Sequence, residues 1–304
     1  MILETYNLSK NFGRVMALDR LNLKVGKGVS GLVGPNGSGK TTTIKISLGL
    51  LKAGEGSVRV FGLDPWADGY EVRRRIGILH EKPSFPRDLT GFAFLKYVAK
   101  FYGIGEWERH VYETLKSVGL DSVGHRPIKT YSAGMVQRLG LAQAVIGATE
   151  FVILDEPTAN LDPIGRVEVL DLIASLSKDR GMSFLISTHI LPELERVCER
   201  VFVMYRGRVV AEGTLSELME KYSPTDYTIR LAKPSLLVEK LNGLDFVEEI
   251  DLDEKGGKVH IKTKDPHALK NALFRLALEL DIHIISIEPR HGLLEQIYRR
   301  VLGD

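Results

Sequence analysis

No segment constrains this chain more than Gly34-Pro35-Asn36-Gly37-Ser38-Gly39-Lys40-Thr41. It fits the spacing Gly-x-x-x-x-Gly-Lys-Ser/Thr and follows the short apolar run Val29-Ser30-Gly31-Leu32-Val33, which reads as a buried strand. A helical pattern begins at Thr41, with Ile44, Ile46, Leu48 and Leu51 on it, and is expected to stop at Gly54. A strand that turns through glycines into a helix aims its backbone N–H groups inward at the positive end of the helix, where a phosphate binds. On this reading Lys40 bridges the β- and γ-phosphates and the Thr41 hydroxyl meets Mg²⁺, with Gly34, Asn36, Gly37, Ser38, Gly39 and Thr42 completing the cradle.

Such a loop belongs in a parallel α/β sheet, and the rest of the first two-thirds of the chain alternates accordingly. Residues 2–8 and 15–25 read as an antiparallel pair around Phe12-Gly13-Arg14, and 57–61 and 76–80 as further strands. Helices are expected at 90–103, capped by Thr90, at 106–118, where Trp107, Val111, Leu115 and Val118 share a face, and at 135–146. The apolar strand 151–154, a helix at 165–178, a strand at 183–187, a helix at 192–199, strands at 201–205 and 208–211 and a helix at 214–222 complete this unit. Past Lys221-Tyr222-Ser223-Pro224 the order becomes βαββαβ: strand 227–231, helix 234–241, a hairpin of 246–252 and 258–263 around Glu254-Lys255-Gly256-Gly257, helix 266–279 and strand 282–288, with a last helix from Leu293. The expectation is two domains, 1–222 and 225–304, in 304 residues.

Composition narrows the function classes. Lys plus Arg number 41 against 39 Asp plus Glu, a net charge of +2, which argues against a dedicated nucleic-acid binder. One cysteine, Cys198, excludes a disulfide framework, a structural zinc cluster and a cysteine-ligated iron–sulfur centre, and fits a reducing compartment. Met1–Arg14 carries acidic and polar residues where a signal peptide needs an apolar run, and no stretch reaches the ~18 apolar residues of a spanning helix. Work at a membrane would then need another chain to do the spanning.

Further motifs stand in order around the strand 151–154. Asp155 at its end is placed to hold the metal's water shell, and Glu156 next to it can deprotonate an attacking water, favouring hydrolysis over transfer to an acceptor. Tyr131-Ser132-Ala133-Gly134-Met135-Val136-Gln137-Arg138 lies upstream, Thr158-Ala159-Asn160-Leu161-Asp162 downstream, and Ser187-Thr188-His189 follows the next strand. This ordered set resembles the ATP-binding cassette family, over roughly residues 1–222.

The resemblance implies a P-loop NTPase core with an antiparallel β subdomain and a helical subdomain at about 84–146, plus a small α+β C-terminal domain. It implies ATP with Mg²⁺, Phe12 as the adenine-stacking aromatic, His189 as the switch histidine beside the γ-phosphate and catalytic water, and Asp162 as the loop residue joining two nucleotide sites. Ser132, with Gly134, would act on the γ-phosphate held by an opposite subunit; without the resemblance Ser132 is simply a helix N-cap. Two departures stand out. Ala133 replaces the first of two usual glycines, tolerable where φ stays negative. Glu81 stands where the family places a metal-contacting glutamine; a carboxylate can bind Mg²⁺ through water but adds charge beside the triphosphate.

The family reading is an ATPase subunit that pairs head to tail, as a homodimer or with a related cassette, around two Mg-ATP. It would drive a separate membrane permease from the cytoplasmic face. The tail, with His291-Gly292-Leu293-Leu294-Glu295-Gln296-Ile297-Tyr298, resembles the accessory domain of exporter-type ATPases. The competing reading is a non-transport member acting on translation, DNA repair or iron–sulfur assembly. Those types bring a second cassette, a long coiled coil or a cysteine cluster, and this sequence has none of them. A non-hydrolysing regulator is disfavoured by the joint presence of Lys40, Asp155, Glu156 and His189.

Overall fold

The computed structural model describes residues 1–147, 150–232, 234–253 and 257–302. The chain divides into two compact units, Met1–Leu215 and Ser216–Asp304. In the first, β1 (Leu3–Phe12) and β2 (Val15–Val25) form the expected antiparallel pair, and β4 (Glu55–Val60) joins the other edge of β1. The main sheet runs β5 (Ile76–Leu79), β6 (Phe151–Asp155), β7 (Ser183–Thr188), β3 (Val29–Val33), β8 (Arg200–Tyr205), β9 (Arg208–Gly213). Its first five strands are parallel and β9 is antiparallel to β8. Every residue of β3, β6 and β7 is buried, as expected for parallel strands covered on both faces.

The strand order decides where the chemistry can sit. β6, β7 and β3 are neighbours in register, with Asp155 opposite Ser187 and Val33 opposite Thr188. The segments that leave their carboxyl ends are therefore side by side at one edge of the sheet, the edge where α/β folds bind ligands.

Helices α1 (Lys40–Ser47), α2 (Gly69–Arg73), α3 (Gly91–Phe101), α4 (Trp107–Ser117), α5 (Ala133–Val145), α6 (Pro163–Arg180) and α7 (Leu191–Glu195) follow in chain order, and α8 (Leu215–Lys221) begins at the last residue of this unit and continues into the second. Thr90 caps α3, accepting from Ala93 N at 3.0 Å. Helices α3, α4 and α5 pack on one another, and α5 lies so close to β5 that a Cβ on Gly77 would stand 1.8 Å from the Ala144 carbonyl. Two expected helices are corrected and one, α2, is an addition. Helix α1 ends at Ser47 rather than running to Gly54, because Gly49 turns left-handed (φ +66°) against the Pro65 carbonyl. The helix expected at 192–199 is the short α7, and α2 carried no clear apolar period in the sequence.

The second unit has β10 (Asp226–Leu231), α9 (Pro234–Leu241), β11 (Val247–Asp253), β12 (Lys258–Thr263), α10 (Pro266–Glu279), β13 (Ile284–Pro289) and α11 (Leu293–Leu302). Its sheet order, β11-β12-β10-β13, is antiparallel throughout. Ile229, Leu231, Val259 and Ile261 face Leu237, Leu269 and Leu273 in its core. Strand β13 starts two residues later than the alternation suggests, after Asp281 in a left-handed conformation. Of the expected hairpin turn, Glu254, Lys255 and Gly256 lie outside the described residues. Among the described residues no helix is long and apolar enough to cross a membrane.

Candidate functional site

The glycine loop leaves β3 and enters α1 in a conformation that its side-chain-free positions permit. Gly39 has φ +107° and Gly37 φ +80°. A Cβ on Gly39 would stand 2.7 Å from the Ala17 carbonyl, and one on Gly34 would stand 2.4 Å from the Met204 carbonyl. The loop is thus wrapped against β2 and β8 with no room to spare. Lys40 is 6% exposed; its Nζ donates to the carbonyls of Gly34 (2.7 Å) and Pro35 (3.3 Å) and lies 3.9 Å from Glu156 Oε1. Burial pushes its ammonium below the ordinary lysine value, an effect opposed by Glu156 and Asp155. Ser38 Oγ is buried without a hydrogen-bond partner among the described residues.

Asp155 closes β6 and is almost fully buried. One of its oxygens accepts from the Ser187 hydroxyl and the other from Thr41 Oγ1 at 3.4 Å. A hydroxyl and a carboxylate converging at the head of the glycine loop are the hard oxygen donors Mg²⁺ prefers, so the residues present fit that ion. Glu156, next in the chain, takes φ +50°, costly for a residue with a side chain, and is held there by its N–H donating to Ser187 O (2.9 Å) and its carbonyl accepting from Ala159 N (3.1 Å). Its carboxylate lies 3.0–3.1 Å from His189 Nδ1. A carboxylate only accepts, so Nδ1 is the donor in that pair.

A cleft of about 280 Å³ opens over these groups. Phe12, Asn36, Gly37, Ser38, Gly39, Lys40, Thr41, Thr42, Glu81, Asp155 and Glu156 all line it. Phe12, at the end of β1, offers a half-exposed ring beside Lys10 Nζ, 5.5 Å from its centroid. Glu81 is exposed, with Lys82 Nζ 3.8 Å away. Five expected residues do not line this cleft: Gly34 lies at the start of the loop and His189 meets Glu156 from outside, while Ser132, Gly134 and Asp162 stand apart from it. Ser132 caps α5, accepting from Met135 N at 3.3 Å, and the half-buried Gly134 follows it; Asp162 caps α6, accepting from Gly165 N at 2.7 Å. Ala133 is helical with negative φ, so its methyl meets no backbone penalty.

Glu193 escaped the sequence reading. It is 8% exposed, on α7, and takes hydrogen bonds from Thr158 Oγ1 (2.7 Å) and Thr188 Oγ1 (3.2 Å), with Arg166 Nη1 at 3.4 Å.

A phosphate-shaped glycine loop, its lysine and threonine, and an acid pair at the end of the adjacent strand together define a P-loop nucleoside triphosphatase. A family model described as "ABC transporter" matches residues 18–159. The chain is 39% identical over 303 residues to the bacitracin transport ATP-binding protein BcrA of Bacillus licheniformis, spanning 99% of this chain and 97% of that one. It is 32% identical over 307 residues to the daunorubicin/doxorubicin resistance ATP-binding protein DrrA of Streptomyces peucetius, spanning 99% and 92%. A dimeric post-hydrolysis structure of an ATP-binding cassette with ADP and Pi matches with a TM-score of 0.63 at 25% identity, over 70% of this chain and 99% of that one. The chain belongs to the ABC transporter family, as an ATP-binding subunit that hydrolyses ATP.

Proposed function

We propose that this ATPase powers an exporter, with residues 1–222 as the cassette, 84–146 as its helical subdomain and 225–304 as an accessory domain. The observation that carries the catalytic part is the Glu156 carboxylate, held 3.9 Å from Lys40 and 3.0–3.1 Å from His189 at the rim of the glycine-loop cleft. Lys40 and the loop N–H groups bind the β- and γ-phosphates, and Phe12 offers the adenine a ring face. Thr41 and Asp155 would hold Mg²⁺, with Glu81 lining the same cleft, and the ion would neutralise charge on the phosphate oxygens. Glu156 takes the proton of the attacking water, and His189 orients that carboxylate and the γ-phosphate.

Ser132 and Gly134 stand at the start of α5, apart from the cleft of their own chain, which supports their serving the site of a second subunit. The partner is a second copy or a related cassette, related head to tail, with Asp162 between the two sites. Exporter function rests on the names of the relatives that span the whole chain, one for bacitracin transport and one for drug resistance. The subunit sits on the cytoplasmic face through a membrane permease and needs no nucleic acid.

Mixing Lys40→Ala chains with Ser132→Arg chains tests the arrangement. Each pure variant carries a defect in every site and is expected to be inactive, whereas the mixed dimer holds one intact site and recovers part of the turnover. Full activity of either pure variant, or no recovery in a mixture that demonstrably forms heterodimers, overturns the head-to-tail assignment.

A further inference from the structure

Glu193 lies behind the site rather than in it. It does not line the cleft, yet one of its oxygens, Oε2, accepts both from Thr158 Oγ1 at 2.7 Å and from Thr188 Oγ1 at 3.2 Å. Thr158 is two residues past Glu156, and Thr188 immediately precedes His189. A single buried oxygen therefore ties the turn that carries the acid to the turn that carries the histidine.

Each tie continues outward. Thr188 O accepts from Gly34 N (3.2 Å), at the start of the glycine loop, and Thr188 Oγ1 accepts from Ile190 N (3.1 Å), on the far side of His189. The other oxygen, Oε1, faces Arg166 Nη1 at 3.4 Å, and Arg166 donates in turn from Nε to Leu161 O (3.1 Å) and from its backbone N to Asp162 O (3.0 Å). Burying a carboxylate costs several kcal/mol unless it is fully partnered, and an apolar side chain would often pack as stably. What the carboxylate adds is geometry. It fixes the turns of Glu156 and His189, whose side chains meet at 3.0–3.1 Å, in one arrangement.

We infer that Glu193 is a positioning residue for ATP hydrolysis, setting the Glu156–His189 pair through the hydroxyls of Thr158 and Thr188. The inference rests on the roles given above to Glu156 and His189.

The test uses the full chain and separates binding from rate. Glu193→Ala should bind Mg-ATP with unchanged affinity while turnover at saturating Mg-ATP falls on the order of 10²-fold, the cost of a small misplacement of reacting groups. KM should hold, so kcat and kcat/KM fall together. Glu193→Gln can keep both threonine bonds on its amide oxygen and loses only the Arg166 pair, so it should recover most of the rate. A purely structural role would not give that rescue together with intact affinity. Glu193→Ala at the parent rate, Glu193→Gln as slow as Glu193→Ala, or affinity lost in step with rate overturns the inference. Where Glu193→Ala does not fold, Thr158→Val replaces it, removing the 2.7 Å bond at nearly constant shape. Slowed turnover with intact affinity then supports the inference, and the parent rate overturns it. Glu156→Gln, run alongside, separates the two readings. If it is inactive, the site assignment stands whatever Glu193 does; at the parent rate it removes the assignment and the inference together.

Discussion

Alanine at Gly39 tests whether the loop is as tightly determined as its geometry says. Two costs can be worked from the structure. At φ +107° a residue with a side chain is strained by about 1–3 kcal/mol. The added methyl would also stand 2.7 Å from both the Ala17 carbonyl and Leu18 Cδ2, an overpacking worth about 1–3 kcal/mol more. Gly37 supplies the control, because it has φ +80° but nothing within 4 Å of its Cβ position, so Gly37→Ala bears the first cost alone.

Urea unfolding followed by tryptophan fluorescence is the natural assay, since both tryptophans, Trp66 and Trp107, lie in the first unit and report on it selectively. Mg-ATP at about 100 times its Kd should add about 2.7 kcal/mol to the parent. Gly37→Ala should lose about 1–3 kcal/mol and keep most of that increment. Gly39→Ala has two outlets: the loop stays and about 2–6 kcal/mol is lost, or it shifts and the nucleotide increment goes instead. If the two variants are equally stable and Gly39→Ala retains the full increment, the steric argument is wrong.

Two further outcomes concern ionisation. Burial lowers the Lys40 pKa from 10.5, so between the lowered value and 10.5 the unfolded chain binds more protons and stability rises with pH. Without nucleotide, the unfolding free energy of the parent should therefore gain on that of Lys40→Met between about pH 8 and about pH 10, and a flat or falling difference refutes the sign. Burial pushes the Cys198 thiol up, with Glu199 adding to the effect, so a thiolate-directed alkylating reagent at about pH 8 should react far more slowly with the folded chain than with the urea-unfolded one. Equal rates would show that the thiol is not held protonated.

Much of the site was legible because it is local. The glycine loop and His189 follow short strands with an apolar centre, Asp155 closes the apolar run 151–154, and the loop's own steric demands fix its residue types. What depended on distant contacts was not legible. Nothing near Gly49 says that α1 must stop there. The reason is the Pro65 carbonyl, 16 residues on in the chain, which occupies the place a Cβ would take. Ser132 was legible as a motif, but its standing at the head of α5 outside the cleft depends on the fit of α5 over Gly77.

Glu193 shows the limit most sharply. Helix α7 reads Leu-Pro-Glu-Leu-Glu, and no pattern distinguishes Glu193 from Glu195, yet the first is buried and the second exposed. The distinction comes from the order of the strands in space. The chain makes β3, then β6, then β7, but the sheet sets β7 between the other two, so residues 34, 158 and 188 become neighbours only when it is complete. A polar side chain in that position has three turns to satisfy, and the carboxylate of Glu193 reaches the threonine hydroxyls of two of them with one oxygen. Motifs spell out the groups that meet the nucleotide. The residue that holds those groups in register with one another is written nowhere in the linear pattern, because the register exists only between strands far apart in the chain.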